Sequence, residues 1–539
     1  MIQAPDQSLM RKNLKFLLPV LSGILLSLPW VFQGMGWVLF FAFVPLLMAN
    51  ETFQLKINEG KSRFFLTVFI TFFTWNLLST WWISFVTFSG MALIVLLNTL
   101  IMSGIWWLAN LIRIKFQEIT GYFSLIVFWL TFEFLQHHSA IPWPWLTLGN
   151  GFANSVQFIQ WYEYTGVLGG SFWVLITNIL IFKALKSFMG KLFLTSVKWT
   201  SFVLIIIALP VWWSIHLFSG YDGNREKIDV LILQPNIDPY SEKFSGISSE
   251  EQLNRILSLA ESNRSDSTDL IIAPETALPM LREDSILKND PAINQISRFI
   301  QKFPCTGFIA GALTQRKISD GEVVSETARL SDDGAFSYDI YNSAVFIGQS
   351  NDIQISHKNI LVNGVERMPF QKYFSFLGKY VLNLGGTSGS LAAGKEPQIL
   401  LGKRNLKVGS VICFESAFGE FAGKLVNLGA NVLVVLTNDG WWKDSAGTWQ
   451  HFGYSRIRAI ETRRCVVRSA NTGISGIINE RGEVIKESGM NSMEAISGKV
   501  QLNNQITFYA RYGDYFGRIC LLLSIFIFVY LAVNRWISK

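Results

Sequence analysis

Apolar stretches, each roughly the ~20 residues that a bilayer crossing requires, recur through the first 215 residues with only short loops between them. No other feature limits the fold as strongly. A backbone inside hydrocarbon must satisfy its own hydrogen bonds, and a run of this length does so as a helix. The spans read as Phe16–Val31, Trp37–Met48, Phe64–Ser84, Met91–Ile112, Tyr122–Leu135, Val167–Leu185 and Phe202–Phe218. The second is short and contains Pro45. A last apolar run, Tyr515–Val533, is long enough to cross again. Half of the 539 residues are hydrophobic, too many for an ordinary soluble protein of this length. Many of the 19 Trp sit at the ends of apolar runs, where membrane-interface belts place them.

Loop charges orient the spans. Arg11, Lys12 and Lys15 precede the first, and Lys56, Lys61 and Arg63 follow the second. Arg113 and Lys115 follow the fourth, Lys183, Lys186, Lys191 and Lys198 the sixth, and Arg535 and Lys539 the last. The intervening loops, Phe32–Gly36, Phe85–Gly90 and Gln136–Gln160, contain no Lys or Arg. This pattern predicts both termini in the cytoplasm and accounts for the net charge of +7 without nucleic acid. Pro29-Trp30-Val31-Phe32 is a poor cleavage site, so the first run reads as a retained helix, not a signal peptide. The expected division is a membrane domain of about seven helices over 1–220, an extracytoplasmic domain over 221–504, and a transmembrane helix within 505–539. Glu133 and Glu163 lie within or beside spans. Such carboxylates serve either function or a hydrogen bond between helices.

From Tyr221 the pattern changes to apolar β-type runs, polar loops and helices. Val230–Gln234, Leu270–Ala273, Gly307–Ala312, Ala344–Gly348, Lys407–Cys413 and Asn431–Thr437 read as strands, and Val466–Ser469 and Ser475–Asn479 as the strands that close the domain. Ser249–Ser262, Phe418–Leu428 and Trp449–Glu461 read as helices. Buried strands alternating with helices predict a layered α/β sandwich with helices outside.

Three β-type runs stop at reactive residues. Leu270–Pro274 ends in Glu275, Ile353–His357 in Lys358, and Val411-Ile412 in Cys413 beside Glu415. Alone, the thiol would pass for core packing, the carboxylate for a helix cap and the lysine for a surface residue. Together, a base, a cation and a nucleophile at strand ends suit covalent acyl transfer. The four cysteines show no metal or disulfide spacing. Cys520 lies in a span, and Cys305 and Cys465 read as small core residues. The five histidines lack ligand spacing, and there is no phosphate-binding glycine loop. Neither a metal nor a cofactor is expected.

The blocks Ala273-Pro274-Glu275-Thr276-Ala277, His357-Lys358-Asn359-Ile360-Leu361-Val362 and Ile412-Cys413-Phe414-Glu415 resemble the catalytic blocks of the nitrilase superfamily. Leu436-Thr437-Asn438-Asp439-Gly440-Trp441-Trp442, Gln450-His451 through Glu461, and Arg468–Gly473 are similar to the blocks that follow. With spans before and after, and with Pro142–Gly149 and Tyr509–Asp514, the whole chain resembles the apolipoprotein N-acyltransferase family. The resemblance implies a nitrilase-like αββα sandwich on a polytopic helical membrane domain in the inner membrane, facing the periplasm. It implies that Cys413 takes an acyl chain from a phospholipid and passes it to the α-amino group of a diacylated apolipoprotein. Glu275 is then the base and Lys358 stabilises the oxyanion. Glu366, eight residues after Lys358, supports the site together with Phe414 and Glu415; here it follows Asn363-Gly364-Val365 where the family often has Pro-Phe-Gly.

Trp441 and Trp442 read either as an apolar wall for acyl chains or as anchoring. Tyr373 and Phe374, with Phe376 and Leu377 and the glycines Gly385-Gly386, read as a mobile lid touching membrane lipids. A monomer is expected, since no association motif is evident. A membrane-anchored amidase acting on small amides would use the same three residues. A transporter would need inverted repeats or broken helices, which the spans do not display.

Overall fold

The computed structural model describes residues 7–54, 61–221, 225–243, 246–284, 287–303, 307–349, 352–367 and 390–537. The chain forms two units, Met1–Gly220 with Asp514–Lys539, and Tyr221–Gly513.

The first unit is helical. Among the described residues, six helices are long and apolar enough to cross a membrane, with Leu17–Val31 and Met35–Glu51 as shorter apolar segments. The stretch expected as one span over Trp37–Met48 is a short 3-10 turn, Met35–Phe40, followed by a helix, Val44–Gln54. The break falls just before Pro45. Proline lacks an amide hydrogen and suits the first turn of a helix better than its interior. Helix Phe193–Gly220 buries only Ser196 and Ser214 in this unit and turns apolar side chains such as Leu204 and Trp212 outward, as a lipid-facing helix does. The polar residues of the unit point inward. Asn98 Nδ2 donates to Asn76 Oδ1 at 2.7 Å, and Gln136 Nε2 donates to Asn98 Oδ1 at 2.7 Å. The buried Glu133 Oε1 accepts from Trp129 Nε1 and from the Leu148 amide, so this carboxylate holds the Pro142–Gly149 loop to its helix.

The second unit contains two sheets. Strands β1 (Lys227–Gln234), β2 (Leu270–Ile272), β3 (Leu281–Arg282), β4 (Gly307–Lys317), β5 (Arg329–Leu330), β6 (Ser337–Gly348) and β7 (Ile353–His357) belong to the first. The second comprises β8 (Ile399–Leu401), β9 (Lys407–Ile412), β10 (Val432–Thr437), β11 (Val466–Ala470), β12 (Gly476–Ile478) and β13 (Val484–Glu487). A last strand, β14 (Glu494–Gln501), returns to the first sheet and pairs antiparallel with β1. The sheet orders are β14-β1-β2-β4-β6-β5, with β3 on β4 and β7 on β6, and β13-β12-β11-β10-β9-β8. Both centres are parallel: β1-β2-β4 in one and β9-β10-β11 in the other.

Strand periodicity makes the layers. Along β1, Ile228, Val230 and Ile232 join Val408, Ile412, Val434 and Val467 of the second sheet in the central core. The alternate residues Leu231 and Leu233 face helices Ser249–Asn263 and Pro291–Gln301 through Leu253, Ile256, Ile293 and Ile296. Helices Gly419–Asn427 and Ala446–Thr462 cover the outer face of the second sheet. The result is the helix-sheet-sheet-helix sandwich that the sequence predicts.

The domain does not close on Ser475–Asn479, as its sequence suggests; β13 and β14 follow. β13 is short and mostly exposed, and β14 is polar along one face, so neither presents a continuous apolar run. Helix Pro291–Gln301, not among the helices expected above, buries Ile293, Ile296, Phe299 and Ile300 at helical spacing; Asp290 caps it by accepting from the Ala292 and Ile293 amides and Pro291 opens it.

Candidate active site

Parallel strands deliver their C-terminal ends to one edge of a sheet, which is where α/β proteins build sites. Glu275 follows β2, Cys413 follows β9, Asp439 follows β10, and Lys358 follows the antiparallel β7. The Lys358 amide donates to the Asn342 carbonyl at 2.8 Å, which extends the β6–β7 pairing by one residue and turns this side chain inward.

Lys358 is 1% exposed and lies between two carboxylates. Its Nζ is 2.8 Å from Glu366 Oε1 and 3.4 Å from Glu275 Oε1. Asn342, in β6, joins the same two groups: its Nδ2 donates to Glu275 Oε1 at 2.7 Å and to Glu366 Oε1 at 2.9 Å. Glu366 Oε2 accepts from the Val362 amide at 2.8 Å, so the Asn363-Gly364-Val365 run leaves this carboxylate on the lysine. Burial disfavours the ammonium, but Glu366, Glu275 and Cys413 outweigh it and hold Lys358 well above the usual lysine range.

Cys413 is half-buried and takes φ +51°, the left-handed region that L-residues avoid at a cost of ~1–2 kcal/mol. The strand stops there and a short 3-10 turn, Cys413–Ala417, begins, so the thiol stands at a sharp strand-to-turn corner. Burial, and next the negative charge of Glu275, push the thiol well above the usual cysteine range, while Lys358 pulls it down. Thr437 lies within hydrogen-bonding reach of the thiol, and its hydroxyl is 2.9 Å from Asp439 Oδ1.

Glu415 is held by backbone amides. Oε1 accepts from the Asn359 and Ile360 amides at 2.6 and 3.1 Å, and Oε2 accepts from the Ile412 amide at 2.8 Å. The carboxylate therefore ties the residues after Lys358 to the end of β9. Phe414 is buried and meets Phe418 edge-on at 5.1 Å. Trp441 and Trp442 are half-buried in the turn after β10. Trp441 packs edge-on against Tyr240 at 5.4 Å, and Trp442 against His451 at 5.2 Å. Tyr373 and Phe374, like Phe376, Leu377, Gly385, Gly386 and Cys305, lie outside the described residues.

Several site residues carry no strand-end signature. Asn342 lies within β6. Lys243 sits in the loop after β1, is 6% exposed, and donates from Nζ to the Glu275 carbonyl at 3.0 Å. Burial lowers its pKa to about 8, with Glu275 opposing. Gly311, in β4, faces the Glu275 turn so closely that a Cβ would stand 2.5 Å from both Glu275 Cα and the Thr276 nitrogen. Behind the nucleophile, Asp439, His451 and Arg468 are fully buried together. Arg468 and His451 overcome burial and hold Asp439 at about 2. The residues of this second group fall in the blocks after Cys413 that carry the family resemblance, but their contacts follow from the fold alone.

The two sheets and the strand-end cluster define a carbon-nitrogen hydrolase domain, and a family model described as "Carbon-nitrogen hydrolase" matches residues 233–508. A second model, "Apolipoprotein N-acyltransferase N-terminal domain", matches residues 22–180. A protein of Chlorobaculum tepidum named apolipoprotein N-acyltransferase is 30% identical, over 96% of this chain and 97% of its own. One of the same name from Geobacter metallireducens is 27% identical, over 94% and 93%. A third, apolipoprotein N-acyltransferase 1 of Treponema denticola, is 24% identical over 98% of each chain. The chain belongs to the apolipoprotein N-acyltransferase family.

Proposed function

We propose that this protein moves an acyl chain from a phospholipid to the α-amino group of the diacylglyceryl-cysteine of an apolipoprotein, through a thioester on Cys413. What carries the reading is the Glu275–Lys358–Glu366 cluster at a strand-end cysteine, in a chain whose relatives along nearly its whole length bear that name. Because burial and Glu275 raise the thiol, the resting nucleophile is protonated and its proton leaves as attack proceeds. Glu275 takes that proton while Sγ bonds to the ester carbonyl carbon. Lys358 faces the negative charge that develops on the carbonyl oxygen. Collapse breaks the ester bond, and the proton passes to the departing lysophospholipid alkoxide. In the second half, the amine attacks the thioester, Glu275 accepts its proton, and the thiol is restored. Glu366 and Asn342 hold the ammonium and the base in register, and Glu415 fixes the loop of Lys358 to the strand of Cys413.

Trp441 and Trp442 line the acyl path in this scheme, and Tyr373 and Phe374 contact lipid. The scheme has a membrane domain over 1–220, a periplasmic catalytic domain over 221–504 and a final helix within 505–539. Both termini lie in the cytoplasm of a diderm cell, in its inner membrane, and the enzyme acts as a monomer. The small-amide hydrolase reading is not favoured, because relatives spanning the membrane segments as well as the site are named acyltransferases.

Intact mass spectrometry of the purified protein after incubation with a defined phospholipid tests the proposal. Wild type gains the mass of one acyl chain and loses it when a diacylated lipopeptide is added, and Cys413→Ala gains none. Unchanged mass and unchanged lipid in wild type would overturn the assignment.

A further inference from the structure

Cys413 contributes a carbonyl as well as a thiol, and that carbonyl is held from below. His451 Nε2 lies 3.0 Å from Cys413 O, and Ser416 Oγ lies 2.8 Å from the same oxygen. Nε2 also lies 2.8 Å from Ser416 Oγ. A carbonyl oxygen only accepts, so the hydrogen belongs on Nε2, and the Ser416 hydroxyl gives its own hydrogen to the carbonyl. On the other side of the ring, Nδ1 is 2.9 Å from Asp439 Oδ1 and 2.9 Å from Arg468 Nη2, which also donates to Asp439 Oδ2 at 2.7 Å. Arg468 is held in turn by the Ile474 carbonyl at 3.2 Å and Ser455 Oγ at 3.3 Å. Asp439, His451, Arg468 and Ser416 are each 0% exposed. The carboxylate and the guanidinium together clamp the Nδ1 edge of the ring, and this orients Nε2 toward the Cys413 carbonyl.

The peptide joining Cys413 to Phe414 is planar and trans, as none in the described chain is cis. Its carbonyl and its amide hydrogen therefore point in opposite directions. Pinning the Cys413 carbonyl toward His451 turns the Phe414 N–H away from His451. The backbone at Cys413 is in the left-handed region, which nothing intrinsic to cysteine favours, so an external restraint must hold this plane.

We propose that His451, oriented by Asp439 and Arg468 and assisted by Ser416, is a positioning residue that sets the Cys413–Phe414 peptide so that the Phe414 amide serves the oxyanion. It acts through the nucleophile's backbone and touches neither the acyl chain nor the thiol proton. The inference rests on the acyl-transfer reading above. It separates two properties that a loosened fold would lose together: the reactivity of the thiol toward a small alkylating agent, which needs no oxyanion donor, and its acylation by lipid, which does.

The test uses the full-length protein in detergent and compares wild type with His451→Phe, His451→Gln and Ser416→Ala. Iodoacetamide alkylation of Cys413 and acyl-adduct formation from a defined phospholipid are followed by mass spectrometry. His451→Phe should acylate about 100-fold more slowly, in line with the loss of one oxyanion donor, and alkylate within about threefold of wild type. His451→Gln, whose amide nitrogen can reach the position of Nε2, should recover most of the acylation rate. Ser416→Ala, which leaves one of the two donors, should slow acylation by about tenfold. If alkylation and acylation fall together, or if His451→Gln is no better than His451→Phe, the positioning role is overturned. If His451→Phe does not fold, equal acylation by wild type, His451→Gln and Ser416→Ala overturns it instead. An acylating wild type with unaffected variants sinks this inference alone, and a wild type that never acylates sinks the acyl-transfer reading beneath it.

Discussion

Glu415 shows what a buried carboxylate does when it neither attacks nor shuttles a proton. Three backbone amides converge on its two oxygens from the ends of two different strands. Burial raises its pKa from 4.5 to about 7, against the pull of the Ile412 amide, the Lys358 charge and the Asn359 and Ile360 amides. The folded chain thus holds a proton that the unfolded chain releases between pH 4.5 and about 7. Stability from this group is complete below pH 4.5 and declines as the pH rises to about 7. At ~1.4 kcal/mol per unit, the decline is about 3 kcal/mol. Glu415→Gln has no proton to lose. Its apparent melting temperature should lie below that of wild type at pH 5, because one oxygen cannot serve three amides. The gap should narrow by several degrees by pH 7.5. Thermal unfolding of the two proteins across that range checks this, and a gap that stays constant would show that Glu415 does not titrate there.

At the scale of elements, the site depends on how closely β4 approaches the turn after β2. Gly311 donates to the Pro274 carbonyl at 2.9 Å, and its own carbonyl accepts from Leu278 at 3.0 Å. The turn it supports includes Thr276 at φ +49°. A methyl group at residue 311 would press on backbone, which cannot swing aside as a side chain does. Gly311→Ala should therefore move Glu275 and slow acyl-adduct formation by tenfold or more, while helix content by circular dichroism stays unchanged. Unaltered acylation would mean that the turn has slack that the contacts do not suggest. Gly311 marks where sequence reading stops. Glu275, Lys358 and Cys413 were legible because each ends a β-type run, and the central strands were legible because both faces of each are buried. Asn342, 67 residues from Glu275, sits in the middle of a strand and looks like an ordinary polar interruption. The partners of His451 come from the turn after β10, from β11 and from the turn after β9, which only the sheet order brings together. The mostly exposed β13 and β14, polar along one face, had no continuous apolar run to betray them.

At the scale of the whole molecule, orientation can be argued from charge within the helical unit. Glu51 pairs with Arg113 at 3.5 Å and with Lys186 at 2.6 Å, and Lys186 also lies 3.5 Å from Glu118. These residues close helices Val44–Gln54, Phe88–Lys115 and Tyr162–Met189 and open Glu118–His138. Four helix ends therefore meet at one face of the bundle, and the loops there carry the Lys and Arg residues. Positive loops stay in the cytoplasm, so that face is expected to be cytoplasmic, and helix Phe193–Gly220, which starts from it, should end on the opposite side. The prediction is that alkaline phosphatase fused after Gly220 is active, and that the same enzyme fused after Lys539 is inactive. A fluorescent protein at the two positions should give the reverse pattern. Active phosphatase at Lys539 would invert the assignment. It would also place Cys413 on the side where the cytoplasmic thiol-reducing pool competes with lipid for a thioester, which makes orientation a condition of the proposed chemistry as well as of the fold.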